Sequence, residues 1–244
     1  MLVRFLGSGD AFGSGGRFQT CILVQTPETT FLIDCGASSL VAMRRFGVAP
    51  ESIDAILLTH LHGDHFGGVP FFLLDAQHIS RRQRPLLIAG PPGTRARLDA
   101  AQQLLFPGAS AFVPSFGLTI QELPAETVTA LGAVTVRTYP ANHLAGDPAY
   151  SLRVSTSGKT VTYSGDTAWT EALIPAARHA DLFITECNGY EKPIPYHLDY
   201  RTYEQHRPKL TPKRLVITHM GADMLAASPN LAGEFAEDGY RIDL

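Results

Sequence analysis

Cysteine is scarce in this chain of 244 residues: there are three, Cys21, Cys35 and Cys187, odd in number, far apart and without a Cys-x-x-Cys pair. That excludes a disulfide framework and a thiolate zinc site, and predicts buried thiols in a reducing compartment. Long hydrophobic runs are absent too. The first ten residues carry an arginine at position 4 and glycines at 7 and 9, unlike a signal peptide or a membrane span. The expectation is a cytoplasmic protein with no membrane partner. Positive charge is not in excess: the formal net charge is -3, so no global field gathers a polyanion, and nucleic-acid binding would need a local patch. No Ser/Gly linker or charge block divides the chain, which predicts one domain over residues 1–244.

What is there is an ordinary globular composition, 45% hydrophobic and 18% charged, ample for a sizeable core. Short apolar runs punctuated by Gly, Pro or polar turns read as buried strands at 2–6, 21–24, 31–33, 55–59, 86–89, 134–139, 150–154, 160–163, 182–185 and 215–218. Amphipathic helices are predicted over 38–46, 66–78, 94–105, 170–178 and 202–206. Strands first in a meander and then alternating with helices imply layered sheets with helices outside.

Directly behind the strand ending at Thr59 the chain places His60, His62, Asp64 and His65. A buried strand holds its end rigidly. Alternation in an extended turn sends 60 and 62 to one side while 64 and 65 diverge towards a second point, a spacing that suits two adjacent metals. Gly63 is expected to let the backbone bend, and Gly67-Gly68 to permit a close approach. Surface loops do collect His and Asp by chance, but four such residues behind one buried strand favour a metal site. Imidazole and carboxylate without thiolate favour zinc, with manganese or iron left open. One loop cannot supply two ions. Three further candidates sit at strand ends: His143, Asp166 in Ser164-Gly-Asp, and His219. His78, His179 and His206 lie in polar or helical contexts and are expected at the surface.

The ordered set resembles the metallo-β-lactamase superfamily, in the branch that holds ribonuclease Z and the phosphonate-pathway cyclic phosphodiesterase. The motifs that carry the resemblance are Phe5-Leu-Gly7-Ser-Gly9 with Gly16-Arg17, Asp34-Cys-Gly36, the 59–65 loop, Gly90-Pro-Pro-Gly93 and Gly165-Asp-Thr167, spread over essentially the whole chain. The resemblance implies an α+β fold, a four-layer αββα sandwich. It implies two Zn²⁺, one held by His60, His62 and His143, the other by Asp64, His65 and His219, with Asp166 bridging. Members with a homodimeric arrangement leave that state open here. His62 departs from the di-iron oxygen-reducing members and His65 from the common β-lactamases, which narrows the choice towards dizinc hydrolases.

Two dications sharing a water lower its pKa from about 15.7 towards roughly 7, so the resemblance implies hydroxide as nucleophile at neutral pH. His197 and Asp64 are the residues expected to take part in catalysis. His197 resembles by position the histidine that protonates the leaving group. Asp34 and Glu186 are expected to orient ligand imidazoles through their second nitrogen. The substrate expectation is a small or cyclic phosphodiester. RNA is not favoured, because no basic, glycine-rich arm is visible between Gly93 and His143, and Asp34-Cys-Gly36 continues Ala-Ser-Ser where ribonuclease Z has Glu-Gly-Thr. The basic run 79–84 reads as a solvated helix end. A lactonase or thioesterase with the same ligands is the rival, and a metal-binding module without activity is a third reading.

Overall fold

The computed structural model describes residues 1–108, 114–146, 148–192 and 194–244. Its strands are β1 (Leu2–Gly7), β2 (Cys21–Gln25), β3 (Thr30–Ile33), β4 (Ala55–Leu57), β5 (Leu86–Gly90), β6 (Leu118–Glu122), β7 (Val128–Leu131), β8 (Val134–Pro140), β9 (Tyr150–Thr156), β10 (Lys159–Tyr163), β11 (Leu182–Glu186), β12 (Leu215–Thr218) and β13 (Arg241–Asp243). The helices are α1 (Ser39–Arg45), α2 (Gly63–Phe66), α3 (Val69–His78), α4 (Thr94–Leu105), α5 (Leu173–Ala177), α6 (Tyr200–His206) and α7 (Ala222–Ala227).

Two mixed sheets form, one in the order β13-β1-β2-β3-β4-β5-β6 and the other β12-β11-β10-β9-β8-β7. In the first, β3 to β6 run parallel; in the second, β10 to β12 do. Burial follows residue type. In β8, Val134 and Val136 face in while Thr135 and Arg137 face out, the period-2 pattern of a strand covered on one side. Strands β4 and β11 are buried at every position, as parallel strands between two layers must be. The inner faces meet in one cluster that includes Val3, Phe31, Leu57, Val136, Leu152 and Ile184. Outside the first sheet, Met43, Phe72, Leu73 and Leu98 of α1, α3 and α4 pack on Leu32, Ile56 and Ile88. Outside the second, α5 packs Leu173 and Ala177 on Phe183, and α6 packs Tyr200 and Tyr203 near Ile217. The result is the αββα sandwich.

Several local expectations change. Strands β6, β7 and β13 and helix α7 were not anticipated: β6 and β7 are edge strands of mixed polarity, largely half-buried or exposed, and β13 is three residues long. The helix expected over 66–78 breaks at Gly67-Gly68 into α2 and α3. A Cβ at Gly68 would lie 2.2 Å from the Gly36 carbonyl oxygen, so close approach does fix that glycine. Gly63 is different: it has no positive φ and open space around its Cβ position, so the turn does not require it.

The basic run is not simply a solvated helix end either. Arg82 is 1% exposed. Its guanidinium donates to the carbonyls of Pro50, Glu51, Ile53, Arg84 and Pro85, tying together the segments that lead into β4 and β5. His206 is half-buried, its ring stacked on Trp169 at 4.1 Å, whereas His78 and His179 are exposed. No helix among the described residues is long and apolar enough to cross a membrane. All three cysteines are buried and unpaired.

Candidate metal centre

The carboxyl ends of the parallel strands open at one end of the sandwich, and the side chains singled out above collect there. Asp34 follows β3, His60 follows β4, Asp166 follows β10, Glu186 closes β11, His219 follows β12, and His143 follows β8. Four overlapping groups of ligating atoms result among the described residues, the atoms of each lying within 4.8 Å of one another: His60, His62 and His143; Asp64, His65, Asp166 and His219; and two that include His197, with His143 and Asp166 and with Glu186 and His219. Asp166 also reaches the first group, its Oδ2 being 3.8 Å from His60 Nε2 and 3.9 Å from His143 Nε2. Residues 60 and 62 do part from 64 and 65, though by a different route from simple alternation: His62 is extended and the chain then enters the single turn of α2, which carries Asp64 and His65 round to the second group.

Supporting contacts select which nitrogen of each imidazole faces inward. Asp34, held at φ 60, accepts the Thr59 backbone N–H and hydroxyl, each at 2.8 Å, and the Nδ1–H of His65 at 2.7 Å. Because the Thr59 hydroxyl proton goes to Asp34, its oxygen accepts from His60 Nδ1 at 3.1 Å, leaving the His60 Nε2 lone pair for the site. His143 Nδ1 donates to the Tyr196 carbonyl at 3.1 Å. His219 is another left-handed residue, φ 57, fixed by its N–H to the Ser8 carbonyl at 3.1 Å. A positive φ at a non-glycine residue is strained and gathers where a side chain must be aimed. Gly165 has φ 60, and a Cβ there would lie 2.8 Å from the Tyr150 carbonyl oxygen, so the turn that delivers Asp166 needs a glycine.

Asp34 orients a candidate ligand as expected. Glu186 does not: its carboxylate accepts from Nδ1 of His197, at 3.1 and 3.2 Å. The amide of Asn188 stands instead beside His219, 3.5 Å from Nδ1 and 3.3 Å from the carbonyl oxygen. Thr59, Asn188 and the Tyr196 carbonyl were not singled out from sequence. Asn188 follows β11 just as the ligands follow their strands, which is the one signal that pointed to it.

Electrostatics at the site run in two directions. Burial, together with its imidazole neighbours His65, His143 and His62, holds His60 well below the ordinary histidine value although Asp166 opposes this. Burial also works against charge on His65 and His219, yet Asp166 and Asp64 outweigh it, pushing His65 well up and His219 up to about 9. Burial would raise Asp166, but His219 and His65 carry it well below the usual carboxylate range. These buried carboxylates demand positive charge, which imidazoles meet by holding protons and a divalent cation would meet directly. His60 Nε2 is buried with no hydrogen-bond partner, while Asp166 Oδ1 lies 3.1 Å from His65 Nε2 and 3.5 Å from His219 Nε2. A buried polar atom without a partner is costly, and metal ligation is what this donor set fits. A cavity of about 220 Å³ opens onto the cluster, lined by His62, Asp64, His143, Asp166, His197 and His219 among others.

The architecture is the metallo-β-lactamase fold. Within it, the chain belongs to the family described as Anti-Pycsar protein Apyc1, whose model matches residues 1–237. It is 32% identical over 150 residues to a ribonuclease Z of Methanothermobacter thermautotrophicus, an alignment covering 62% of this chain and 47% of that protein. The match thus spans about half the length of that relative. The probable metallo-hydrolase YhfI of Bacillus subtilis is 28% identical over 194 residues, covering 78% of this chain and 73% of its own. Its crystal structure, described as a metallo-β-lactamase fold protein, superposes with a TM-score of 0.77 at 21% identity over 99% of each chain. Human tRNase Z, short form, superposes at 0.80 with 23% identity, over 100% of this chain and 99% of that one. At such identities the structures speak for the fold alone.

Proposed function

We propose that this chain is a dinuclear-metal phosphodiesterase acting on a small or cyclic phosphodiester, with His60, His62 and His143 for one ion, Asp64, His65 and His219 for the other, and Asp166 between them. The observation that carries this is the pair of donor groups meeting at Asp166, with His60 Nε2 buried and without a hydrogen-bond partner. Imidazole and carboxylate donors without thiolate favour zinc. Divalent cations bound there would supply an activated water and offset charge on the substrate's oxygens.

The chain's own contribution is a proton source beside that cavity. Burial opposes a charged His197, but Glu186 beneath it prevails, and the imidazole is raised above its ordinary value. With Nδ1 on Glu186, Nε2 is the nitrogen left to hand a proton to a departing alkoxide, the general-acid role. Asp64 takes part by fixing charge at the second group, where its Oδ2 lies 3.2 Å from His219 Nε2.

A small substrate is favoured over RNA because the described residues between Gly93 and His143 form α4, β6, β7 and β8 with no extended basic arm. Relatives named ribonuclease Z support phosphorus as the centre attacked. The three buried thiols fit a cytosolic protein. The test is a panel of bis(p-nitrophenyl) phosphate, a cyclic phosphodiester, a lactone, a thioester and a β-lactam, given to zinc-reconstituted protein with its metal content measured. Turnover of the phosphodiesters, lost on chelation and restored by zinc, is expected. Turnover of only the lactone or thioester sinks the reading, and no metal-dependent turnover at all marks a binding module.

A further inference from the structure

Of the four donor groups at the site, the two ions proposed above account for two. Both of the others contain His197, once with His143 and Asp166 and once with Glu186 and His219. Glu186 and His197 are the donors that neither ion claims, and they lie against each other. The Nδ1 of His197 is 3.1 Å from Glu186 Oε2, 3.2 Å from Oε1 and 3.9 Å from Asp166 Oδ2. One nitrogen thus faces three carboxylate oxygens. Glu186 is fully buried, whereas the His197 side chain keeps 18% of its surface exposed and lines the cavity that leads in from solvent.

A proton between Nδ1 and Glu186 is one cation this pair can hold, and a small divalent ion is another. Zinc bonds to imidazole nitrogen and carboxylate oxygen at about 2.0–2.2 Å, so two donors on one tetrahedral ion lie about 3.3 Å apart. The separations of 3.1 and 3.2 Å between His197 and Glu186 are close to that span. Charge then limits the affinity. A dication carries one more positive charge than the proton it displaces, and it would sit beside two resident dications, so it binds more weakly than they do.

We infer that Glu186 and the Nδ1 of His197, with Asp166 alongside, form a third and inhibitory cation site, which takes Zn²⁺ once that ion exceeds what the two main groups hold. Binding releases the Nδ1 proton to solvent. An imidazole that gives its Nδ1 lone pair to a dication cannot also be an imidazolium, so the proton meant for a leaving alkoxide is lost. The cation at Nδ1 therefore sets the state of the site: a proton leaves the acid in place, and zinc removes it. The binding half of this inference stands on the donor geometry, and the inhibition half rests on the phosphodiesterase reading.

The test adds zinc to zinc-loaded protein, reading bound metal by equilibrium dialysis and turnover in parallel. The native chain is expected to take up one equivalent beyond two, about 10²–10³-fold more weakly, the order that one extra positive charge a few ångströms away imposes. E186Q, which keeps the shape and removes the anionic donor, and H197A should each retain the two main equivalents, which shows that they fold, and lose the further one. As that equivalent fills, turnover should fall at least about tenfold for a phosphodiester with an alkoxide leaving group. It should hardly change for bis(p-nitrophenyl) phosphate, whose leaving group departs without a proton. Uptake by the native chain that never exceeds two equivalents overturns the inference. So does a further equivalent that survives in E186Q or in H197A, which would place it on exposed histidines such as His78 or His179. Equal inhibition on the two substrates overturns the inhibitory role. Failure to turn over any phosphodiester strikes the function proposed above, while the dialysis result still decides the site, so the two failures are separable.

Discussion

Strand β11 carries a carboxylate at each end, and the two behave in opposite ways. Asp181, just before Leu182, accepts the Thr160 N–H and the Lys213 ammonium, each at 2.8 Å, with Lys159 at 3.6 Å. Burial would raise it, but these partners outweigh burial and its pKa falls below the ordinary value. Glu186, the last residue of the strand, also has a cationic partner in His197. There burial wins and the carboxyl is pushed up. The contrast extends to β4: Asp54 ahead of it meets Arg84 and accepts the Thr30 N–H at 3.0 Å at the solvated end, while Asp64 beyond it faces imidazoles. The carboxylates at the amino ends of these strands, Asp181 and Asp54, are paired with the cationic side chains of Lys213 and Arg84. Those at the carboxyl ends face imidazoles in a buried site: burial prevails at Glu186 and Asp34, which are pushed up, whereas the neighbouring histidines prevail at Asp64 and Asp166, which are pulled down.

The comparison can be broken most severely at Asp166. D166A removes the carboxylate proposed to serve both groups, and turnover is expected to fall to that of chelated protein, with zinc content falling as well. Full zinc occupancy in D166A would show that the two groups do not depend on a common carboxylate. Next comes H197A, for which kcat should drop by about 10²–10⁴ on a phosphodiester with an alkoxide leaving group, the usual range for a general acid. The loss should be much smaller with p-nitrophenolate, which departs without a proton. An equal loss on both substrates would reduce His197 to a structural role.

D34N should loosen zinc at the second group by about 10–100-fold, as removal of a ligand's supporting partner commonly does, with the ion at the other group little changed. Chelator competition reads both affinities, and unchanged affinities would mean that backbone geometry alone orients His65. The smallest effect belongs to the amino end of β11. D181N is expected to keep its kcat and to lose about 1 kcal/mol or less, since the pair includes an exposed lysine. Its sign follows from the depressed pKa: stability from Asp181 is present above the unfolded carboxylate value of about 3.9 and fades as pH falls through the lower folded value. Urea unfolding curves of D181N and the native chain should differ at pH 7 and converge in strong acid. A gap that persists in acid would assign the effect to the Thr160 hydrogen bond instead.

Much of the candidate site is readable from the chain because its donors follow strands directly. The 60–65 run is local, and His143, Asp166 and His219 each come straight after a strong apolar run, so a rule about strand ends finds them without knowing the fold. The supporting cast is less legible. Asn188 also trails a strand, but an asparagine signals turns far more often than it signals a ligand's neighbour. Thr59 acts through a proton that only the Asp34 contact assigns, and the Tyr196 contribution is a backbone carbonyl that no side-chain pattern can show. Glu186 was read towards a metal ligand, yet its partner is His197, because both are brought together by a loop rather than by a strand. In the same way, Arg82 reads as part of a solvated basic run until five carbonyls are seen to surround it.

What the sequence determined by itself is the layered class of fold, most of the strands that bury a face, and the residue types that converge at their ends, because hydrophobic periodicity and donor chemistry are local properties. Only the tertiary structure decided which donors lie near Asp166 and which nitrogen each imidazole turns inward. Those depend on distances between segments far apart in the chain, and such distances are set by the packing of the two sheets.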